Sequence, residues 1–169
     1  MDESFKNLKF FNPTLGTINF KETVSAVVNY LLEKPANFYE IVVGCDSSAT
    51  ESPYFPVALV VRRVGEGGRF FLHKMHYSKK FYNLHERIIQ EVYLSCKLAL
   101  EFKEEFQKTI RKNNLKLNYQ LQYIHADISE NGDTKNMVKE IIGLIKSNGF
   151  EAKIKPESFA ASSIADRFT

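Results

Sequence analysis

Residues 39–46 read YEIVVGCD, a run of mostly apolar and β-branched side chains that ends in an aspartate. A strand that is apolar at nearly every position is typical of the centre of a sheet covered on both faces. The segment therefore predicts a buried central strand with Asp46 at its carboxyl end. Ligands of α/β proteins collect at the carboxyl ends of parallel strands, so we expect a site there.

Two more strands follow, over residues 56–64 (PVALVVRRV) and 69–77 (RFFLHKMHY), and the turn GEGG joins them as a hairpin. Asn83 and Glu86 form a capping pair that begins a long helix. The other predicted elements are a helix over 20–33, the long helix to about residue 110, a strand over 119–128, a helix over 134–146, a strand over 150–155 and a helix over 158–168.

The predicted order is a helix followed by β-β-β-α-β-α-β-α. This order indicates an α/β fold with a mixed five-stranded sheet. Three antiparallel strands come first, and right-handed crossovers then add parallel strands. That succession is the ribonuclease H topology, and a few other α/β folds can be drawn from the same order. We expect residues 1–16 to be an N-terminal arm and residues 17–169 to be one domain.

The chain has 169 residues, of which 44% are hydrophobic and 25% charged, as in ordinary globular domains. The net charge of +3 permits a polyanionic partner without requiring one. Cys45 and Cys96 are not spaced as zinc ligands, and we expect both to be reduced with no disulfide partner. No apolar run approaches the ~20 residues of a membrane span, and the first residues do not resemble a signal peptide, so we expect a cytoplasmic protein.

Four carboxylates are candidate site residues. Asp46 and Asp127 each end a predicted strand, where a turn aspartate is the alternative interpretation. Glu91 lies within the apolar stripe of the long helix, where a carboxylate is costly unless a salt bridge or a metal compensates it. Asp166 lies late in the last helix, where a solvated helix residue is the alternative.

A cluster of these four carboxylates would have a clear chemical use. Four neighbouring carboxylates repel one another, and a divalent cation removes that penalty. Mg²⁺ or Mn²⁺ would suit these oxygen ligands, and paired ions stabilise both the attacking and the leaving oxygens of phosphodiester cleavage. The sequence therefore predicts a metal-dependent nuclease that acts on RNA, DNA or a hybrid through water. The alternative function is a non-catalytic module that binds nucleic acid or protein and has a vestigial metal site.

Four motifs resemble the YkuK family of predicted ribonuclease H-like proteins, and together they cover most of residues 41–168. They are GCDS at 44–47, ERIIQEVYLS at 86–95, HADI at 125–128 with NG at 131–132, and KPESFAASSIAD at 155–166. The resemblance implies a ribonuclease H-like fold. It matches Asp46 to the acid of the first strand, Glu91 to that of the first helix, Asp127 to that of the fourth strand and Asp166 to the C-terminal acid. The late position of Asp166 is more like that in the Holliday-junction resolvases.

Several other residues are weaker candidates. Ser47 is interpreted as a turn or supporting group, and Lys155 precedes the last helix and could approach the site. His125 lies two residues before Asp127, so strand alternation predicts the same face, where it could tune the metal or carry a proton. The alternative is a hydrogen-bonded strand histidine. Basic residues crowd the second and third strands and the loop after them, where phosphate contact and a solvated edge are both open interpretations (Arg62, Arg63, Arg69, Lys74, Lys79 and Lys80).

Overall fold

A single mixed sheet forms the centre of the computed structural model, which describes residues 3–169. It has eight strands in the order β2-β1-β5-β4-β3-β7-β8, and β6 also pairs with β3. The strands are β1 (Lys9–Asn12), β2 (Gly16–Asn19), β3 (Tyr39–Cys45), β4 (Tyr54–Arg63), β5 (Gly67–His76), β6 (Tyr119–Gln120), β7 (Tyr123–His125) and β8 (Glu151–Lys153). Pairing is antiparallel from β2 to β3 and parallel from β3 to β8. The predicted mixed α/β sheet is confirmed.

Helices cover both faces of the sheet unequally. The helices are α1 (Phe20–Glu33), α2 (Leu84–Lys112) and α3 (Val138–Ser147), with 3-10 turns at Phe5–Asn7 and Lys135–Met137. All three α-helices bury apolar residues in the larger core, on the face that Ile41 and Val43 of β3 supply. The other face carries Val42 of β3 and packs against a C-terminal helical segment, Ala160–Phe168. No helix within residues 3–169 is long and apolar enough to cross a membrane.

Asparagine side chains cap the first two α-helices. Asn19 and Glu22 form a complete capping box at the start of α1. Asn83 accepts a hydrogen bond from the backbone of Glu86 at the start of α2. The Glu86 carboxylate, however, accepts from the backbone N–H of Tyr82 rather than from that of the cap residue.

The expected N-terminal arm is instead part of the sheet over its described residues, and residues 1–2 lie outside them. Strands β1 and β2 form a hairpin, and Phe11 of β1 pairs with Leu72 of β5. Asn12 organises the hairpin turn, because its side-chain oxygen accepts from the backbone N–H groups of Thr14 and Leu15, both at 2.9 Å. The completely buried Phe10 anchors β1 in the larger core.

Two further expectations need correction. The predicted strand over residues 119–128 is two short strands, because Tyr39 faces Tyr119 whereas Val43 faces Ile124. One extra residue on that strand is a bulge, and it interrupts the pairing. The predicted C-terminal helix is helical but not α-helical, since Ala160–Ile164 adopt the π form and Ala165–Phe168 the 3-10 form. Together with the N-terminal hairpin, the bulge explains why the sheet has eight strands rather than five.

Candidate metal centre

Two predicted site residues follow neighbouring parallel strands. In the register of β3 and β7, Gly44 pairs with His125, so Asp46 and Asp127 each stand two residues beyond the same pair. The backbone N–H of Asp46 still bonds to the carbonyl of Pro56 on β4 at 3.3 Å, which fixes the end of β3. Both aspartates therefore stand at one end of the sheet, as the sequence predicts.

Glu91 reaches this end of the sheet from α2. It is 6% exposed and accepts a hydrogen bond from the Ser47 hydroxyl at 2.5 Å. Burial, with the negative charges of Asp46 and Asp127, raises the pKa of Glu91 well above its usual value, while the Ser47 hydrogen bond and the charge of Arg87 oppose the rise. Within the described residues Glu91 forms no salt bridge, so the alternative interpretation from the sequence does not apply.

Asp46 and Asp166 form a carboxyl pair. Asp46 is 8% exposed, whereas Asp166 lies on the exposed side of the C-terminal helical segment. Burial raises the pKa of Asp46 to about 7, and the side-chain hydrogen bond with Asp166 and the charges of Asp127 and Asp166 add to this effect. A shared hydrogen bond between two carboxyl groups requires a proton, so Asp46 holds that proton well above the pH at which an isolated aspartate loses it.

Asp127 is held by one cation and one hydroxyl group. The Lys155 ammonium lies 3.1 Å from Asp127 Oδ1. The Ser162 hydroxyl donates to the same oxygen at 2.5 Å. The sequence predicts Lys155 near the site but gives no indication of Ser162, which the C-terminal helical segment positions.

These groups surround one open pocket of about 460 Å³ at the end of the sheet. All four predicted acids line it, as do Ser47 and Lys155. Arg87 was not predicted from the sequence, and neither was the polar loop after Asp127, which supplies the rest of the rim (Ser129, Asn131, Gly132, Asp133 and Thr134). The signals for that loop in the sequence are its composition, SENGDT, directly after a site aspartate, and the NG motif at 131–132.

His125 lies outside this pocket. It is 2% exposed, its Nδ1 accepts from the Ala160 backbone N–H at 3.1 Å, and its ring meets Phe159 edge-on at 4.6 Å. Burial, followed by the charges of Lys153 and Arg62, lowers the pKa of His125 to about 3. The neutral ring thus carries its proton on Nε2, which has no hydrogen-bond partner among residues 3–169. The structure therefore favours the alternative interpretation, a hydrogen-bonded strand histidine.

The fit of a divalent ion depends on donor chemistry and on side-chain positions. The donors are hard carboxylate oxygens, which Mg²⁺ and Mn²⁺ prefer. In their present positions, however, no three His, Cys, Asp or Glu side chains of the described residues form a group that could hold a metal ion. Glu91 is turned to Ser47, Asp127 to Lys155 and Ser162, and Asp46 to Asp166. Protons and Lys155 thus supply the positive charge that a cation would supply, so the fit to an ion rests on the donor chemistry of the carboxylates.

The sequence comparisons identify the fold family. A family model described as "Ribonuclease H-like" matches residues 22–169. The chain belongs to the ribonuclease H-like family. It is also similar to "Uncharacterized protein YkuK" of Bacillus subtilis (strain 168), with 29% identity over 165 residues that cover 95% of this chain and 96% of that protein. No solved structure matches the chain significantly.

Proposed function

We propose that this protein is a divalent-metal-dependent nuclease that hydrolyses phosphodiester bonds of RNA, DNA or a hybrid. The observation that carries the proposal is the convergence of Asp46, Glu91, Asp127 and Asp166 on one pocket at the carboxyl ends of β3 and β7. Membership of the ribonuclease H-like family supports it, although a fold alone does not establish an activity.

Each carboxylate has a distinct proposed role. Asp46 and Asp127, from adjacent strands, would share the Mg²⁺ or Mn²⁺ ions, Glu91 would hold one of them from α2, and Asp166 would complete the second site. When bound, the ions would neutralise charge on the phosphodiester and make water a stronger nucleophile. Ser47 and Ser162 orient two of the carboxylates, as second-layer hydrogen bonds do in metal sites.

The two cations of the pocket have a different role. Lys155 and Arg87 line the same pocket as the carboxylates. If a cation took the place of Lys155 beside Asp127, the Lys155 ammonium would be free to contact a substrate phosphate, a typical lysine partner. Because the pKa of Asp46 is raised to about 7, a cation at this carboxylate would compete with its proton, so metal affinity is expected to rise with pH up to about that value.

One observation favours the second candidate, a binding module with a vestigial metal site. Lys155 already pairs with Asp127, and the described carboxylates form no ready metal group. A module of this kind would bind its partner without turnover, whichever metal is added. Retained binding by an Asp46→Asn/Asp127→Asn double variant, together with no cleavage by the wild type, would support it.

The test is cleavage of labelled single-stranded and duplex RNA, DNA and hybrid substrates with Mg²⁺ or Mn²⁺. Glu91→Gln is expected to lower the cleavage rate at least about 100-fold, since metal stabilisation of the transition state is worth several kcal/mol. Glu104→Gln is the matched control, because it removes one carboxylate from an exposed position of the same helix. Equal cleavage by wild type and Glu91→Gln would contradict the proposed function.

A further inference from the structure

A second concave surface lies beside the carboxylates, across the end of the C-terminal helical segment. This lysine pocket, of about 320 Å³, is lined by Lys9, Phe11, Thr17, Leu72, His73, Lys74 and Phe168. Phe168 connects the lysine pocket to the segment that carries Asp166, because it comes two residues after that acid and its ring packs against those of Phe11 and Phe70. The Lys74 ammonium lies 5.9 Å from the centre of the same ring.

The strand register shows where this pocket lies relative to the carboxylates. Asp46 bonds to Pro56 of β4, and Pro56 pairs with Lys74 of β5. On the far side of β5, Phe11 pairs with Leu72, so the antiparallel register puts Lys9 level with Lys74. Strands lie about 4.8 Å apart, which places the backbones of Lys74 and Lys9 about 10 and 14 Å from that of Asp46.

The side chains of this row point to one face of the sheet. Asp46 reaches Asp166 of the C-terminal helical segment, and Lys74 reaches Phe168 of the same segment. A chain molecule that lay over Asp46 and passed the end of this segment would therefore meet Lys74 and then Lys9.

The charges of the lysine pocket are unbalanced. No carboxylate lines it, and within residues 3–169 neither Lys9 nor Lys74 forms a salt bridge. Lys6, Lys34 and Lys80 show the contrasting case, since each has a glutamate partner. Two cations without acidic partners next to a carboxylate pocket suit a polyanion, which needs positive charge beside the acids that would otherwise repel it.

The aromatic groups favour a nucleic acid whose bases are free. Phe11 is 40% exposed, and it shares the pocket with the ring of Phe168. Exposed aromatic rings beside lysines bind single strands, because unpaired bases stack on the rings while phosphates contact the cations. Paired bases of a duplex offer no free face to such a ring.

We propose that the lysine pocket binds a single nucleic-acid strand at a nucleotide beside the bond to be cleaved. Lys9 and Lys74 contact its phosphates, and Phe11 stacks on a base. The proposal rests on the proposed nuclease function for the position of the cleaved bond, whereas strand binding itself can be measured without cleavage.

The experiment measures the affinity of a labelled short oligothymidylate by fluorescence anisotropy in EDTA, at several salt concentrations. The Lys9→Gln/Lys74→Gln variant is expected to bind about tenfold more weakly at low salt. The slope of log affinity against log salt should fall by about 1.4, since each lost phosphate contact on a single strand removes about 0.7. Phe11→Leu should weaken binding about fivefold and leave the salt slope unchanged.

The matched control is Lys116→Gln/Lys146→Gln, which removes the same charge from exposed positions just before β6 and at the end of α3. The proposal expects wild-type affinity and salt slope from this control. An equal loss of oligonucleotide affinity in both double variants would overturn the proposal, because net charge alone would then explain the binding. Displacement of the oligonucleotide by polyglutamate as readily as by unlabelled oligothymidylate would also overturn it, in favour of an acidic protein partner.

The two proposals fail separately. Lysine-dependent strand binding without cleavage by the wild type would contradict the nuclease function and support the strand-binding pocket. Cleavage of single strands at wild-type efficiency by the Lys9→Gln/Lys74→Gln variant would overturn the pocket's role and leave the nuclease function intact.

Discussion

At the amino end of β3 a buried arginine has a complete set of partners, whereas at the carboxyl end buried carboxylates face one another. Arg63 is 7% exposed and donates to the Tyr39 hydroxyl, to the Tyr30 carbonyl and to the Glu33 carboxylate, all within 3.0 Å. Its guanidinium also lies 4.2 Å from the centre of the Tyr30 ring. Asp46 and Glu91 are as deeply buried, but their nearest charged neighbours include carboxylates.

The difference separates a structural charge from a functional one. A buried charge with full hydrogen bonding holds its surroundings in one arrangement. Buried like charges cost stability, and proteins tolerate them where a ligand supplies the missing counter-charge. This distinction predicts that removal of the charge of Arg63 lowers the stability of the fold, whereas removal of the charge of Asp46 raises it.

The largest effect on stability is expected from Arg63→Met. The substitution removes the donor to the Tyr39 hydroxyl and one of the two donors to the Tyr30 carbonyl, and a buried acceptor that loses its donor is costly. We expect the thermal midpoint to fall further in this variant than in Gly44→Ala, a substitution that overpacks the carboxyl end of β3. A midpoint equal to that of the wild type in a thermal melt would contradict the structural role of this cluster.

The second prediction concerns Asp46 and pH. Because the pKa of Asp46 is raised to about 7, its folded form holds a proton that the unfolded chain releases near pH 4, so its contribution to stability is lost as pH rises from 4 to 7. Asp46→Asn should therefore gain stability relative to wild type by on the order of 3 kcal/mol between pH 5 and 8 in EDTA. Urea unfolding at each pH measures the difference.

A difference between variants is the right quantity for this test, because burial lowers the pKa of His125 and gives the wild type an opposite pH dependence in the same range. That contribution cancels between wild type and Asp46→Asn. Asp133→Asn is the matched control, since it removes an exposed carboxylate from the same pocket and leaves the pair of Asp46 and Asp166 in place. A pH-independent difference for Asp46→Asn would show that the carboxylates are not coupled as described.

The third prediction concerns the packing that positions the C-terminal helical segment. A Cβ at Gly44 would lie 2.5 Å from the backbone nitrogen of Ala161, which is too close. Gly44→Ala should cost about 1–3 kcal/mol of stability, a typical penalty for overpacking. It should also displace Ser162 and Asp166 from Asp127 and Asp46. Chemical denaturation measures the cost, and an unchanged free energy of unfolding would contradict this close contact.

Much of the fold follows from local sequence patterns. The boundaries of α1 match the prediction because a capping box, an apolar stripe and Lys34-Pro35 all define the same helix. The N-terminal hairpin was missed because its strands have four residues each, and its turn depends on side-chain hydrogen bonds of Asn12. Such a strand is too short to show a reliable alternation, and its stability comes from pairing with β5.

The acids of the candidate site were predictable, as were Ser47 and Lys155 beside them, whereas Ser162 was not. Asp46, Glu91 and Asp127 stand where strand ends and helix periodicity put them. Strand alternation placed His125 on the face of Asp127, and both side chains do contact the C-terminal helical segment. The sequence did not show that Phe159 and Ala160 cover His125 and keep it out of the pocket. Ser162 was missed because its contact depends on how closely the C-terminal helical segment approaches Gly44. That tertiary distance has no signal in the local sequence.

The central claim is that the carboxylate pocket binds a divalent cation, and the most direct measurement is the thermal midpoint with and without Mn²⁺ or Mg²⁺. Metal at 100 times its dissociation constant should add about 2.7 kcal/mol of stability, a rise of roughly 5–10 °C for a domain of this size. Asp46→Asn should start from a higher midpoint in EDTA and lose most of that rise. An equal response to metal in wild type and Asp46→Asn, or none in either, would contradict the claim.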